Sequence, residues 1–285
     1  MKKILIQLDS DRLASSFDAI TAYDAGADRV LSYGGVQPDE VRGIVYGAMF
    51  TRGGGDLKHS AVFIGGSSVA RGEVLLEAAR ASFFGPVRVS LMLDANGCNT
   101  TAAAAAAKIR SKGDVSGKKI AVLAGTGPVG LRAAALLAKE GAAVALSSRV
   151  LARSEAACAS IRERFGVEVE PVEAKDAEGT ARALDGAYAA LCCGTAGVSL
   201  VPESIWAGHP ALRVLADVNA VPPLGIEGTE SGWADYEKHG KIIFGAIGVG
   251  GLKMKVHRAC VARLFTRNDL VLDAEAIYAT AKETV

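Results

Sequence analysis

Short hydrophobic runs alternate with amphipathic segments along nearly the whole chain. In the first part, the runs typical of buried strands lie at Ile4–Leu8, Arg29–Ser32, Ser60–Ile64 and Val87–Met92. Segments with helical spacing fit between them, at Ser15–Ala25, Pro38–Ala48 and Ala70–Phe83. This alternation is typical of βαβ units, and it therefore predicts an α/β fold with parallel strands.

A second βα series follows an alanine-rich helix. Asn99 or Thr100 is a suitable N-cap for that helix, which the alanines continue to about Ser111. The later strands are predicted at Ile120–Leu123, Ala143–Leu146, Val167–Glu170, Tyr188–Cys192, Val214–Asp217 and Lys241–Phe244. The chain after Gly251 is predicted to be mostly helical. With 285 residues, two domains of ordinary size are expected.

A glycine-rich turn joins the strand Ile120–Leu123 to a helix. Its G-x-G-x-x-G pattern comprises Gly125, Thr126, Gly127, Pro128, Val129 and Gly130. In such a motif the first glycine permits the tight turn, the second admits a pyrophosphate, and the third allows close packing of helix on strand. An ordinary glycine turn is the alternative. The flanking strand and helix favour a Rossmann-type, doubly wound dinucleotide-binding domain.

The end of the next strand indicates which nucleotide binds. An NAD site usually has an acidic residue there, whereas Ser147, Ser148 and Arg149 occupy this position here. Arg149 can pair with a 2′-phosphate, and Arg153 is a possible second cation. The alternative is that Arg149 begins a solvated helix. The sequence favours NADP as the cofactor and leaves NAD possible.

Two further strand ends are expected to line the nicotinamide half of the site. Thr195 follows the strand that ends at Cys192, and Asn219 follows the strand that ends at Asp217. Ligands of doubly wound sheets bind beyond the carboxyl ends of the strands. We therefore predict that Thr195 and Asn219 contact the cofactor.

Composition excludes several classes of protein. The net charge of +1 argues against a nucleic-acid partner, and no apolar run reaches the roughly 20 residues of a membrane span. Five cysteines without a C-x-x-C pair predict free thiols, no metal site and a reducing, cytoplasmic location. The many alanines suggest surfaces that pack between subunits, so a homo-oligomer is expected.

No familiar acid–base constellation marks the half of the site where the reaction would take place. The four histidines are scattered, and the polar residues of the first hundred positions could each be a cap or a turn. Near the end, the glycines of Gly245–Gly251 predict a turn before a basic helix start. Cations there would oppose the helix dipole, which makes Lys253 or Lys255 a candidate ligand contact. Residues two apart point to different faces of a helix, so Lys253 and Lys255 are not both expected to contact the ligand.

The chain resembles the NADP-dependent methylene-tetrahydromethanopterin dehydrogenases of methylotrophic bacteria. The similar stretches span essentially the whole length: Phe17–Ala19, Tyr23–Asp28, Thr51–Gly54, Phe83–Pro86, Arg88–Ser90, Met92–Ala103, Val122–Gly130, Asn219–Ile226 and Gly250–Cys260. One departure is that Ser148-Arg149-Val150 stands where the family has Gly-Arg-Lys. The missing lysine weakens the 2′-phosphate site and leaves room for NAD.

The resemblance implies two α/β domains and an oxidoreductase of one-carbon metabolism. Residues 1–112 with 251–285 would form the substrate domain, and 113–250 the NADP domain, with the reduced pterin in the cleft. Hydride would pass from methylene-tetrahydromethanopterin to NADP, giving methenyl-tetrahydromethanopterin. Lys253 and Asp18 are the expected catalytic residues. The expected substrate-binding residues are Asp94, Asn96, Asn99, Thr101 and Lys255.

Two alternatives stay open. The first is another two-domain NADP oxidoreductase, such as a methylene-tetrahydrofolate dehydrogenase, because both pterins present the same reacting centre, or a shikimate-type dehydrogenase. The second is an NADP-binding sensor without turnover.

Overall fold

The computed structural model describes residues 1–285, which form two compact units. Residues 1–100 and 254–284 make up the first unit, and residues 101–253 with Val285 the second. From the sequence, the domain boundaries were expected between residues 112 and 113 and between residues 250 and 251. Residues 101–110 of the alanine-rich helix therefore belong to the second unit, and Ala102 to Ala107 are only 0–1 % exposed.

Twelve strands occur along the chain. They are β1 (Ile4–Asp9), β2 (Arg29–Tyr33), β3 (Ser60–Gly65), β4 (Ser90–Leu93), β5 (Lys119–Leu123), β6 (Ala143–Ser148), β7 (Glu170–Glu173), β8 (Ala189–Cys192), β9 (Val214–Asp217), β10 (Ala234–Lys238), β11 (Lys241–Phe244) and β12 (Val271–Leu272).

Ten α-helices connect them. They are α1 (Ser16–Asp24), α2 (Val41–Phe50), α3 (Val69–Arg80), α4 (Cys98–Arg110), α5 (Pro128–Lys139), α6 (Leu151–Phe165), α7 (Ala177–Leu184), α8 (Glu203–Trp206), α9 (Ala246–Leu264) and α10 (Ala274–Thr284). None is long and apolar enough to cross a membrane.

The sheet of the first unit has the order β12-β4-β3-β1-β2, and every neighbouring pair is parallel. Its central strand β3 is buried along its whole length, as parallel strands covered on both faces are. The carboxyl ends of β1, β3 and β4 lie at one edge of the sheet, where Asp9, Gly65 and Leu93 end the strands.

The sheet of the second unit has the order β10-β11-β9-β8-β5-β6-β7. All pairs are parallel except β10 with β11. Without the antiparallel edge strand, this is the strand order of the dinucleotide-binding fold, whose crevice opens where the chain reverses between β5 and β8. The predicted α/β class with a doubly wound parallel sheet is thereby confirmed.

Two of the predicted boundaries were wrong. Strand β7 begins at Glu170, three residues later than expected, because its register with Ala145 of β6 decides where pairing starts. Helix α2 begins at Val41, so Pro38 lies in the turn before it. Hydrophobic periodicity alone resolves such limits poorly.

The glycines near the end of the chain do not form a turn. Helix α9 begins at Ala246 and runs through them, so Lys253 and Lys255 lie well inside the helix and the argument from the helix dipole fails. Gly248 is needed for packing instead, since a Cβ there would lie 2.1 Å from the backbone oxygen of Trp233. The alanines of α4 from Ala102 to Ala107 are buried within the chain.

Candidate functional site

The turn between β5 and α5 has the geometry of a phosphate-binding loop. Gly127 is the N-cap of α5, no side chain caps the helix, and Pro128 occupies its first turn. A Cβ on Gly127 would meet no atom within 4 Å, whereas a Cβ on Gly130 would lie 2.4 Å from the backbone oxygen of Gly125. Backbone N–H groups and the positive end of the helix dipole are therefore open to an anion.

Ser147 holds this turn against β6. Its hydroxyl accepts a hydrogen bond from the Ala124 N–H at 3.1 Å, and its backbone oxygen accepts one from the Gly125 N–H at 3.0 Å. Ala124 has a φ of +49°, a conformation that costs a non-glycine residue about 1–2 kcal/mol. The two bonds from Ser147 stabilise this conformation.

A pocket of about 500 Å³ opens beside the turn. Seven of the twelve residues predicted to bind the cofactor line it: Thr126, Gly127, Ser147, Ser148, Arg149, Arg153 and Thr195. The other five, Gly125, Pro128, Val129, Gly130 and Asn219, do not line it. Ala174 and Thr180 also line it. Ala174 escaped prediction because β7, which it follows, was placed three residues too early, and Thr180 because helix α7 was not predicted.

The charge of this pocket fits a phosphorylated ligand. Arg149 and Arg153 are exposed and line the pocket, and no acidic residue does. Ser148 ends β6 where an NAD-specific site would have a carboxylate. The space at Gly127, the uncapped helix and the two guanidinium groups together can accommodate the pyrophosphate and the 2′-phosphate of NADP.

The Asn219 side chain forms its hydrogen bonds within its own loop. It is 4 % exposed, its side-chain amide donates to the Pro223 backbone oxygen at 3.2 Å, and its Oδ1 accepts from the Val221 N–H at 2.9 Å. These bonds use the side chain to hold the loop that follows β9. A polar residue after a strand predicts proximity to the site, but not which way its side chain points.

Two acidic side chains meet at the carboxyl edge of the first unit's sheet. Measured from the position that a Cβ on Gly65 would take, Asp18 Oδ2 lies 3.1 Å away and Asp9 Oδ2 3.6 Å away. Asp9 is buried and accepts from the backbone N–H groups of Asp11 and Ser15. Asp9 therefore shapes the chain before α1, while Asp18 is half-buried near the start of that helix.

Asp94 lies at the same edge and is 1 % exposed. Its two carboxylate oxygens accept from Thr100, from the N–H at 3.0 Å and from the hydroxyl at 2.6 Å. His257 Nδ1 lies 3.7 Å from Asp94 Oδ2, and the His257 ring stacks on Phe63 with ring centroids 5.4 Å apart. Sequence reasoning missed this histidine, because 163 positions separate it from Asp94 and no motif joins them.

The other predicted substrate residues differ in accessibility. Asn96 is exposed with a φ of +53°, and Asn99 is fully buried and donates to the Leu93 backbone oxygen at 2.6 Å. Thr101 is half-buried. Of the two lysines on α9, Lys253 is half-buried and Lys255 is exposed. Asn99 therefore serves the fold of its turn.

Solved structures resemble the whole chain in fold. The 5-ketofructose reductase of a Gluconobacter species matches with a TM-score of 0.53 at 18 % identity, covering 100 % of this chain and 99 % of that one. Shikimate 5-dehydrogenase of Listeria monocytogenes, in complex with shikimate and NAD, matches with a TM-score of 0.54 at 13 % identity, covering 98 % and 96 %. Both structures show that the chain has the fold of these α/β proteins.

Sequence comparison identifies the family. Residues 16–96 match the family model described as methylene-tetrahydromethanopterin dehydrogenase, N-terminal. Two proteins of Methylorubrum extorquens align over nearly the full length. The bifunctional protein MdtA is 48 % identical over 284 residues, 99 % of each chain. The NAD(P)-dependent methylenetetrahydromethanopterin dehydrogenase is 31 % identical over 292 residues, 99 % of this chain and 98 % of the other.

The chain belongs to the methylene-tetrahydromethanopterin dehydrogenase family. The expected family, enzyme class and NAD(P) cofactor are confirmed by these relatives.

Proposed function

We propose that the protein oxidises methylene-tetrahydromethanopterin with NADP as its preferred cofactor. Membership of the family supports the substrate. The observation that supports NADP is the pocket beside Gly127, which carries Arg149 and Arg153 and no acidic residue. A carboxylate there would repel a 2′-phosphate, whereas a guanidinium pairs with it.

The reaction depends on how the protein orients its two reactants, and it involves no proton transfer. NADP, when bound, would supply a nicotinamide that takes the hydride of the methylene carbon, and the two nitrogens that flank this carbon would stabilise the methenyl cation. The step moves no proton, so no general base is required, and the protein has to orient the two reactants and favour the developing charge. This explains why no acid–base triad is evident in the sequence.

For the reaction with the pterin we assign Asp18 and Lys253 as catalytic residues. Asp18 is supported by its half-buried position at the carboxyl edge of the first unit's sheet, beside Gly65. Lys253 is favoured over Lys255 because it is the less exposed of the two. Asn96, Thr101 and Lys255 are assigned to more peripheral contacts, and Asp94 and Asn99 to holding the turn before α4.

We propose that the enzyme works in the cytoplasm as a homo-oligomer. All five cysteines are free, which fits a reducing compartment. Several large apolar side chains of the first unit are exposed, among them Phe17, Ile20, Phe50 and Phe84, which are 49–62 % accessible. Light scattering coupled to size-exclusion chromatography gives the mass in solution, and a monomer at working concentration would rule the oligomer out.

Steady-state kinetics test the assignment directly. Methylene-tetrahydromethanopterin and methylene-tetrahydrofolate are each offered with NADP and with NAD, and reduced nucleotide is followed at its absorbance band. The folate is included because both reduced pterins present the same reacting centre. We expect the highest kcat/KM with the methanopterin and NADP. Turnover of neither pterin, with either nucleotide, would contradict the proposal.

A further inference from the structure

Asp217 is a buried carboxylate that hydride transfer does not use. It ends β9, is 1 % exposed, and accepts from the Asn219 N–H at 2.9 Å and the Ile226 N–H at 3.2 Å. The Gly225 N–H is a further donor. A Cβ on Gly225 would lie 3.0 Å from both carboxylate oxygens and 2.4 Å from the Cys192 sulfur, so the loop closes tightly around this group.

The loop held by Asp217, residues 218–226, is joined to the segment that follows β8. Gly197 N–H donates to the Val221 oxygen at 3.2 Å, and Leu200 N–H donates to the Gly225 oxygen at 2.9 Å. Val198 and Leu200 line the nucleotide pocket. A continuous chain of hydrogen bonds therefore runs from the carboxylate of Asp217 to one wall of that pocket.

We propose that Asp217 is a positioning residue for the nucleotide, which fixes the wall formed by Val198 and Leu200 through the 218–226 loop. The inference rests on the proposal that this pocket is the NADP site. It adds a residue, Asp217, that does not line the pocket. Only an ionised carboxylate offers enough acceptors for the converging N–H donors, because an amide or a carboxylic acid replaces one acceptor with a donor. That donor would face an N–H group, and the loop would have to move.

The surroundings of Asp217 make this role sensitive to acid. Burial raises its pKa, although the backbone hydrogen bonds oppose that shift. The titratable groups that face it are Cys192 and Cys193, whose own pKa values are raised by burial, so both are neutral in the physiological range and no cation faces the carboxylate. Asp217 therefore takes up a proton at a higher pH than an ordinary aspartate.

The sign of the linkage separates positioning from stability. A carboxyl group whose pKa is raised by folding favours the folded state most below its unfolded pKa, and this contribution is lost as the pH rises through the folded pKa. Acidification through the raised pKa thus costs no stability through this group. It does remove an acceptor from the 218–226 loop, so nucleotide affinity should fall while the chain remains folded.

The test measures NADP binding without pterin, by calorimetry, from neutral to mildly acidic pH. The proteins are the wild type, Asp217→Asn and, as a matched control on an exposed carboxylate of β10, Glu237→Gln. We expect the wild type and E237Q to bind alike and to weaken with acid. We expect D217N to bind about tenfold more weakly at neutral pH and to lose part of the pH dependence. Protonation of the 2′-phosphate is common to all three proteins and cancels.

Thermal denaturation at each pH shows whether the chain stays folded. The wild-type titration is repeated with NAD, which lacks the 2′-phosphate, so it remains decisive if D217N does not fold. A folded D217N with wild-type affinity and pH profile would overturn the proposal. So would wild-type affinity that shows no acid dependence beyond that of the 2′-phosphate. Because no pterin is present, either result leaves the proposed dehydrogenase reaction to its own assay.

Discussion

At the scale of residues, the nucleotide site depends on a few side chains whose types could be recognised beforehand. The motif from Gly125 to Gly130 and the arginine after β6 were predicted from spacing alone, and Arg149 lines the pocket. Ser147 was expected to contact the cofactor, and it also stabilises the turn through Ala124 and Gly125. A motif predicts where a side chain lies along the chain, but the partner of its polar atoms depends on the fold.

Replacing Arg149 with alanine should weaken NADP much more than NAD. A charge-assisted hydrogen bond contributes about 1.5–3 kcal/mol, so we expect the KM for NADP to rise roughly 10- to 100-fold while that for NAD changes little. Arg164→Ala is the control, because Arg164 lies near the end of α6, the helix that follows Arg149, and does not line the pocket. Equal losses for both nucleotides would refute the 2′-phosphate assignment.

Replacing Lys253 with alanine tests the pterin side. If its ammonium contacts the reacting pterin, kcat/KM for the pterin should fall roughly 100-fold, as when a single stabilising donor is removed from an active site. NADP binding measured alone should stay at the wild-type value. Lys255→Ala, two positions along α9 and exposed, should have a smaller effect. The assignment is wrong if K253A keeps full activity, or if K255A is the more damaging change.

At the scale of elements, two glycines of one turn have different tasks. Gly130 permits α5 to approach the turn, since a Cβ there would strike the Gly125 backbone. Gly127 has open space in front of it and lines the pocket. The motif is the same for both residues, and only the surroundings of each position separate packing from ligand approach.

Alanine at these two positions should therefore produce opposite patterns. Gly130→Ala should lower the free energy of unfolding by about 1–3 kcal/mol, the usual cost of an overpacked contact. Gly127→Ala should unfold nearly as the wild type does, yet bind NADP more weakly because the methyl group occupies the space of the phosphates. Urea denaturation and calorimetry on both variants make the comparison. A G127A protein with normal affinity would show that the pyrophosphate lies elsewhere.

At the scale of the whole molecule, burial determines how all five thiols behave. Four cysteines are buried and Cys193 is half-buried on the pocket wall. Burial raises the pKa of Cys158 to about 11 and those of Cys192 and Cys260 to about 12. Thiolate is the reactive form, so Cys158, Cys192 and Cys260 should hold almost none of it at neutral pH in the native protein.

Alkylation with iodoacetamide should accordingly be slow in the native state and complete at five sites after denaturation. Mass spectrometry of both samples gives the number of labels and their positions. Cys193 should be the first to react, because it is the most accessible, and NADP should slow its labelling by covering the pocket. Rapid labelling of native Cys158 or Cys260 would contradict the burial described here. A rate at Cys193 that NADP leaves unchanged would instead count against the pocket as the nucleotide site.

The sequence by itself determined the fold class, the glycine-rich turn between β5 and α5 and the absence of an acid after β6. These are local properties: hydrophobic period, glycine spacing and residue type are set by a few adjacent positions. It misjudged the start of β7 and α9, because pairing register and close packing override local propensity.

Only the tertiary structure joined residues far apart in the chain. His257 beside Asp94 and the 218–226 loop around Asp217 depend on burial and on hydrogen-bond geometry, to which no spacing in the chain corresponds. The structure also decided that Asn99 and Asn219 turn their amides to the backbone, since a buried polar group must bond to what lies within reach.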